Sequence, residues 1–284
     1  MSRRQSAATA LAAALVSVGA SGVLAGCSGD DPTPAPTATP TPSATPTPTP
    51  PPRATPVTVP ADDACYRLTY RQAVSPTNGE SPVPCTAPHT AQTYQVGRID
   101  NVVGGHLLAV DSDRVQKDVA QTCPAALGAV VGGTLQDQRL SMLRSVWFTP
   151  SLEQAGKGAA WYRCDVVALA GAEDLLDVRG SLAGVLDTPA GRDRYGMCGT
   201  ASPAARTFER VPCSAPHTWR AFSVIALDPG RYPGAPAVDD TGAACEDAAA
   251  GVAADPLDYE WAYEGPDAEQ WAAGQTFVRC WAPD

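Results

Sequence analysis

A chain of 284 residues with a formal net charge of −10 narrows the field before any motif is read. The length suits one to three domains. The acidic balance argues against nucleic acid and anionic lipid headgroups as partners, since both select basic surfaces.

The first 26 residues read as an address rather than as fold. Arg3 and Arg4 form a short positive region, Ala7 to Leu24 is an apolar run, and small residues follow, the pattern of a secretory signal. The run ends in Leu24-Ala25-Gly26-Cys27, which looks like a bacterial lipobox in which Cys27 is diacylated and becomes the new N-terminus. With Arg3 and Arg4 removed, the charge goes from −10 to −12. The remaining sequence has no second apolar run long enough to span a bilayer, so the expected product is anchored to a membrane without crossing it. Residues 27–60 are then the lipidated cysteine and a linker. Pro32, Pro34, Pro36, Pro40, Pro42, Pro46, Pro48 and Pro50 to Pro52 alternate with threonine and small residues. So little apolar surface cannot fold, and proline favours polyproline II. At ~3.1 Å per residue the segment reaches on the order of 100 Å, enough to carry a globular part into a cell wall.

The globular part is organised around a stretch that occurs twice. Val83-Pro84-Cys85-Thr86-Ala87-Pro88-His89-Thr90 returns as Val211-Pro212-Cys213-Ser214-Ala215-Pro216-His217-Thr218, with seven of eight positions identical and the hydroxyl kept at the eighth. Recurrence over that length marks an internal duplication, with repeat one over residues 61–186 and repeat two over 187–284. Apart from Cys27, eight of the nine cysteines remain and divide evenly: Cys65, Cys85, Cys123 and Cys164 in the first repeat, Cys198, Cys213, Cys245 and Cys280 in the second. In an exported chain an even count signifies disulfides, not zinc. Four cysteines allow three pairings, and spacing alone does not select one. The expectation adopted is first with second, closing a hairpin, and third with fourth, stapling a helix to the last strand.

In chain order, Cys65 to Tyr70 alternates as a strand does, and Ser75 to Gly79 is a turn cluster. The first motif runs into strand-like Thr93 to Ile99. Asp111-Ser112 offers an N-cap for a helix carrying Val115, Val119, Cys123, Leu127 and Val130, with a kink or break expected at Pro124 and a stop at Gly132-Gly133. Leu143 to Phe148 and Ala160 to Leu169 read as strands. Glu173 to Leu186 is short helix or irregular chain, and Asp187 to Arg194 is turn-rich. In the second repeat, Trp219 to Leu227 is a strand, Val238 to Ala254 an Ala-rich helix, Gln270 to Gly274 a turn, and Gln275 to Trp281 a final strand. The fold class is α+β: two tandem repeats, each a small antiparallel sheet packed with a helix and stapled by two disulfides.

These motifs resemble the actinobacterial septum-formation family of exported proteins. The resemblance rests on Val211-Pro212-Cys213 with Pro216-His217, then Cys245, then Trp271-Ala272-Ala273-Gly274 and Phe277-Val278-Arg279-Cys280, together with the Tyr232-Pro233-Gly234 loop. The first repeat keeps Cys-x-x-Pro-His but has Ala160-Trp161-Tyr162-Arg163-Cys164 without Trp-x-x-Gly. The resemblance implies an envelope protein associated with the division septum. It carries over no catalytic residue and no ligand.

His89 and His217 are the residues that invite a catalytic or metal reading. Their neighbouring cysteines are expected to be oxidised, which removes the thiolate such chemistry needs. A Pro-His step after a disulfide is better read as a fixed turn, with the imidazole bonded to backbone, so Pro88, His89, Pro216 and His217 form a motif without an assigned role. His106, beside Gly104-Gly105, reads as an exposed loop residue. Gly-x-Ser-x-Gly, His-Glu-x-x-His and phosphate-loop motifs do not occur. Asp239, Asp240, Glu246 and Asp247 are expected near the start of a helix, where the dipole favours them. Trp261, Tyr259, Tyr263 and Trp271 read as core or as a glycan-stacking surface. The expectation is a non-catalytic protein with no cofactor and no metal, lipid-anchored on the outer face of the cytoplasmic membrane and contacting a division or cell-wall partner. The alternatives are a peptidoglycan- or glycan-binding module, and a wall enzyme or redox factor using Cys and His.

Overall fold

A computed structural model describes residues 57–255 and 257–284. The expected signal peptide, Cys27 and most of the linker lie outside the described residues. Among those described, no helix is long and apolar enough to cross a membrane.

The first half begins with β1 (Cys65–Tyr66) and α1 (Tyr70–Ala73), then β2 (Ala91–Arg98), a small hairpin of β3 (Val102–Val103) and β4 (His106–Leu107), and α2 (Asp113–Val131). Next come α3 (Leu135–Arg139), β5 (Leu143–Phe148), α4 (Leu152–Gly156) and β6 (Trp161–Ala168). The larger strands form one antiparallel sheet in the order β1-β2-β6-β5. Helix α2 turns Val115, Val119, Cys123 and Val131 inward, the 3.6-residue spacing that puts one apolar stripe on a sheet. After a 3-10 turn at Val185–Asp187, the second half contributes α5 (Pro189–Tyr195), β7 (Met197–Gly199), β8 (Arg210–Pro212), β9 (Trp219–Ala226), α6 (Ala235–Ala250), β10 (Ala262–Glu264), α7 (Ala268–Ala272) and β11 (Phe277–Pro283). Its strands run in the order β10-β11-β9-β7-β8, again antiparallel where paired. Helix α6 lays Val238, Cys245 and Ala249 into the core, and Gly242 lets the Tyr263 ring lie directly against the helix, where a Cβ would strike it.

Four disulfides hold this together. Cys65–Cys85 and Cys198–Cys213 tie early strands to the motif turns, while Cys123–Cys164 and Cys245–Cys280 tie α2 to β6 and α6 to β11. The molecule is thus a mixed helix-and-sheet fold of small antiparallel sheets.

The two sheets meet edge to edge. Ser141 and Gly196 form an antiparallel bridge, with Met142 N donating to Tyr195 O and Met197 N to Leu140 O, each at 2.7 Å. Beneath it, Met142 of the first half shares a buried cluster with Met197, Ala221 and Trp281 of the second.

Several local expectations change. Cys65 to Tyr70 is not one strand: Thr69 caps α1 with its hydroxyl and Gln72 returns a bond to its backbone, a capping box that outweighs two-residue alternation. Helix α2 passes through Pro124 unbroken. The ring sits on the exposed face, and the Cys123–Cys164 bond next to it holds that turn to β6. Ser112 is positioned as N-cap of α2 but its side chain makes no capping bond. The turn-rich reading of Asp187 to Arg194 gives way to α5, started by a Thr188 cap and Pro189 at its first position. Gln270 to Gly274 is mostly α7, capped by Asp267. Asp239, Asp240, Glu246 and Asp247 do not sit in the first turn of α6, because that helix starts at Ala235, so the dipole account of them fails.

Candidate functional site

Both motif histidines are built into turns. His89 has no exposed surface, and its Nδ1 lies 3.0 Å from Ala87 O; its backbone pairs with Val178 in both directions. His217 Nδ1 lies 2.7 Å from Ala215 O, the same bond in the second copy. Proline before each histidine fixes the approach to the turn, and the disulfides through Cys85 and Cys213 pin its other side.

The copies differ at Nε2. That of His89 is buried without a hydrogen-bond partner, whereas that of His217 lies 2.8 Å from Asp284 Oδ2. Arg220 Nε donates to the same carboxylate oxygen at 2.8 Å. Cys198, His217 and Asp284 come close enough to suggest a metal site, but the Cys198 sulfur is bonded to Cys213 and has no thiolate to offer. Partial burial works against ionisation of Asp284, yet the bonds from His217 and Arg220 outweigh it and hold the carboxyl below its usual range. A carboxyl lowered on folding stabilises above its unfolded pKa, and that contribution fades as the pH falls through the folded value. Asp284→Asn is therefore expected to cost about 1 kcal/mol at neutral pH, with the deficit shrinking in denaturant melts below about pH 4. A deficit independent of pH would contradict this assignment.

A buried charged pair in the first half lies on β6. Arg163 is 3 % exposed and stacks between Tyr66 and Phe148, its guanidinium carbon 3.9 and 4.5 Å from the ring centroids. Asp165, fully buried, sits 3.0 Å from Arg163 Nη2 in charge contact, though not aligned as a hydrogen bond, and accepts the Thr93 hydroxyl at 2.8 Å. With both side chains buried and two rings against the guanidinium, this pair belongs to the core of the first half.

The open site lies where the two halves meet. A groove of about 810 Å³ runs between α2 and the start of β5 on one side and β8 and β11 on the other. Leu127, Met142, Phe208 and Phe277 supply apolar wall, and Arg139, Arg144, Arg210 and Arg279 line it with four guanidinium groups. Two carboxylates answer them. Glu264 pairs with Arg210 and lies 3.8 Å from Arg279, and Glu209 is exposed at the rim. Arg139 covers the Phe277 ring at 4.4 Å, and its carbonyl accepts from Arg279 Nε at 3.3 Å. Arg144 bonds only backbone, through Nη1 to Ser141 O at 2.8 Å and Leu143 O at 2.7 Å. Desolvation, with repulsion from Arg279 and Arg210, pulls its guanidinium down to about 10; desolvation, with repulsion from Arg210 and Arg139, does the same to Arg279. An electropositive groove in a chain of charge −10 runs against the surface average.

The motif residues Pro88, His89, Pro216 and His217 do not line this groove, and the sequence reading missed the four arginines that do. Their signal was present: Arg144 and Arg279 interrupt apolar strand segments, in a chain with only 20 lysines and arginines. Of the aromatic set, only Trp271 is buried; Tyr259, Trp261 and Tyr263 keep part of their surface exposed. Trp271 donates through Nε1 to Gly230 O, while Trp261 and Tyr263 stack on each other at 6.3 Å.

A family model for septum formation matches residues 109–280. Comparison with curated proteins and with solved structures returns no match.

Proposed function

The chain belongs to the septum-formation family, and on that premise we propose a lipid-anchored, extracytoplasmic, non-catalytic protein that serves division by contact. The Leu24-Ala25-Gly26-Cys27 sequence supports the anchor, and the Pro/Thr segment supplies reach into the wall. We read the two halves as a duplicated unit. The repeated motif, the matching disulfides and the pairing of α2 with β6 and of α6 with β11 support that reading. The observation that carries the contact reading is the state of the motif itself. Its cysteines are spent in disulfides and its histidines face backbone carbonyls, which leaves recognition by the arginine groove as the chemistry on offer.

The test compares the full-length protein with its Cys27→Ala variant, each carrying an epitope tag, by fractionation and imaging of dividing cells. The parent is expected in the membrane fraction and concentrated at division sites, and the variant is expected to leave the membrane. A variant that stays membrane-bound, or a parent spread evenly around the cell, would contradict the reading.

A further inference from the structure

We infer that the groove between the two halves binds a short acidic peptide segment of a partner protein, with carboxylates on Arg144 and Arg139 and apolar side chains against Leu127 and Phe208. This inference rests on the contact reading above and names its ligand chemistry.

Charge comes first. Four guanidinium groups face two carboxylates, and Glu264 is already engaged by Arg210 and Arg279. Arg144 has no carboxylate partner among the described residues; its hydrogen bonds go only to backbone carbonyls. A buried or half-buried cation without an acceptor of opposite charge is costly, and a guanidinium fork is shaped to take a carboxylate with two parallel bonds. Beside Arg279, the Gln275 Nε2 donor also lacks an acceptor. The groove is therefore short of anionic oxygen.

Shape and apolar surface then separate the possible anions. Carboxylate and phosphate both suit guanidinium. A phosphate-linked wall polymer has little apolar surface to set against Leu127, Met142, Phe208 and Phe277, whereas a peptide alternating acidic and apolar side chains meets both linings. A volume of about 810 Å³ holds a short segment, not a folded domain. Both halves build the groove, and the Ser141–Gly196 bridge with its flanking 2.7 Å bonds fixes their separation. The site is thus held open before a ligand arrives, which lowers the ordering cost of binding.

The experiment uses the full-length protein in detergent micelles and fluorescence anisotropy of a labelled hexapeptide, (Glu-Leu)×3, against its (Gln-Leu)×3 counterpart with the same dye. The acidic peptide is expected to bind saturably and more weakly as salt rises, and the glutamine peptide to bind at least tenfold less well. Arg144→Gln and Arg139→Gln are each expected to weaken binding on the order of tenfold, while Arg71→Gln, the same charge change at an exposed residue outside the groove lining, leaves it unchanged. Thermal unfolding checks each variant. If Arg144→Gln loses the fold, Arg139→Gln decides, because its side chain rests on the Phe277 face and its carbonyl bond is main chain. Equal binding of the two peptides, no binding of either, or binding of tripolyphosphate without the acidic peptide would each overturn the inference. Septal enrichment without peptide binding removes the ligand assignment alone, and peptide binding without septal enrichment removes the contact reading alone.

Discussion

Replacing Arg163 by methionine is expected to destabilise the protein by about 3–5 kcal/mol, the cost of leaving a buried charge without its partner. The charge left behind is Asp165, fully buried on β6 with only the Thr93 hydroxyl remaining to it. Methionine also gives up the stacking of the guanidinium between Tyr66 and Phe148. The sign of the pH dependence follows from the carboxyl. Burial pushes Asp165 up to about 6, against the opposing pull of Arg163 and of the Thr93 hydroxyl. Without Arg163 the push is less opposed, and the carboxyl holds its proton to higher pH. A carboxyl raised on folding contributes most below its unfolded pKa and loses that contribution as the pH climbs through the folded value. The Arg163→Met deficit should therefore be larger at pH 8 than at pH 5 in denaturant melts. Adding Asp165→Leu should recover most of it, since a packed apolar pair replaces a buried ion pair at little cost. A deficit identical at both pH values, with no rescue, would show that the network is not held by charge.

The second large effect concerns the staples. Removing Cys245–Cys280 by paired alanine substitution is expected to cost about 4 kcal/mol, because a loop of 35 residues is released in the unfolded chain. Removing Cys198–Cys213, with a separation of 15, should cost about 3 kcal/mol by the same entropy. For a domain of this size each kcal/mol lowers the melting temperature by roughly 2–4 °C, so the longer loop predicts a drop on the order of 10 °C. A larger loss from the shorter loop would place the stabilisation in local packing instead of chain entropy. Both losses are read by calorimetry on the oxidised variants.

The strands that carry the sheets were legible because they are rich in β-branched and aromatic residues over six to eight positions: β5 at Leu143–Phe148, β6 at Trp161–Ala168 and β9 at Trp219–Ala226. The even cysteine count announced disulfides, the use expected for them in an exported chain. What escaped was decided by single local bonds. The Thr69, Ser151 and Asp267 capping boxes start helices of four or five residues, too short for any periodicity to register. Pro124 misled because a lone sequence carries no sign that its ring faces outward beside a disulfide.

The groove escaped for a different reason. Arg139, Arg144, Arg210 and Arg279 are spread over 141 positions, and they converge only because Leu140 to Met142 pairs with Tyr195 to Met197 across the two sheets. The repeated Cys-x-x-Pro-His motif is conspicuous because it recurs, yet its histidines lie in turns against backbone carbonyls and outside the groove.

The measurement that bears most directly on the proposed contact role is replacement of the chromosomal copy in dividing cells, scored by septum morphology. Arg139→Gln combined with Arg144→Gln, exported at the parental level, is expected to reproduce the septal defect of a deletion, while His217→Asn, also exported at that level, supports normal septa. Normal septa with the arginine variant and defective septa with His217→Asn would contradict the account and move the chemistry back to the motif.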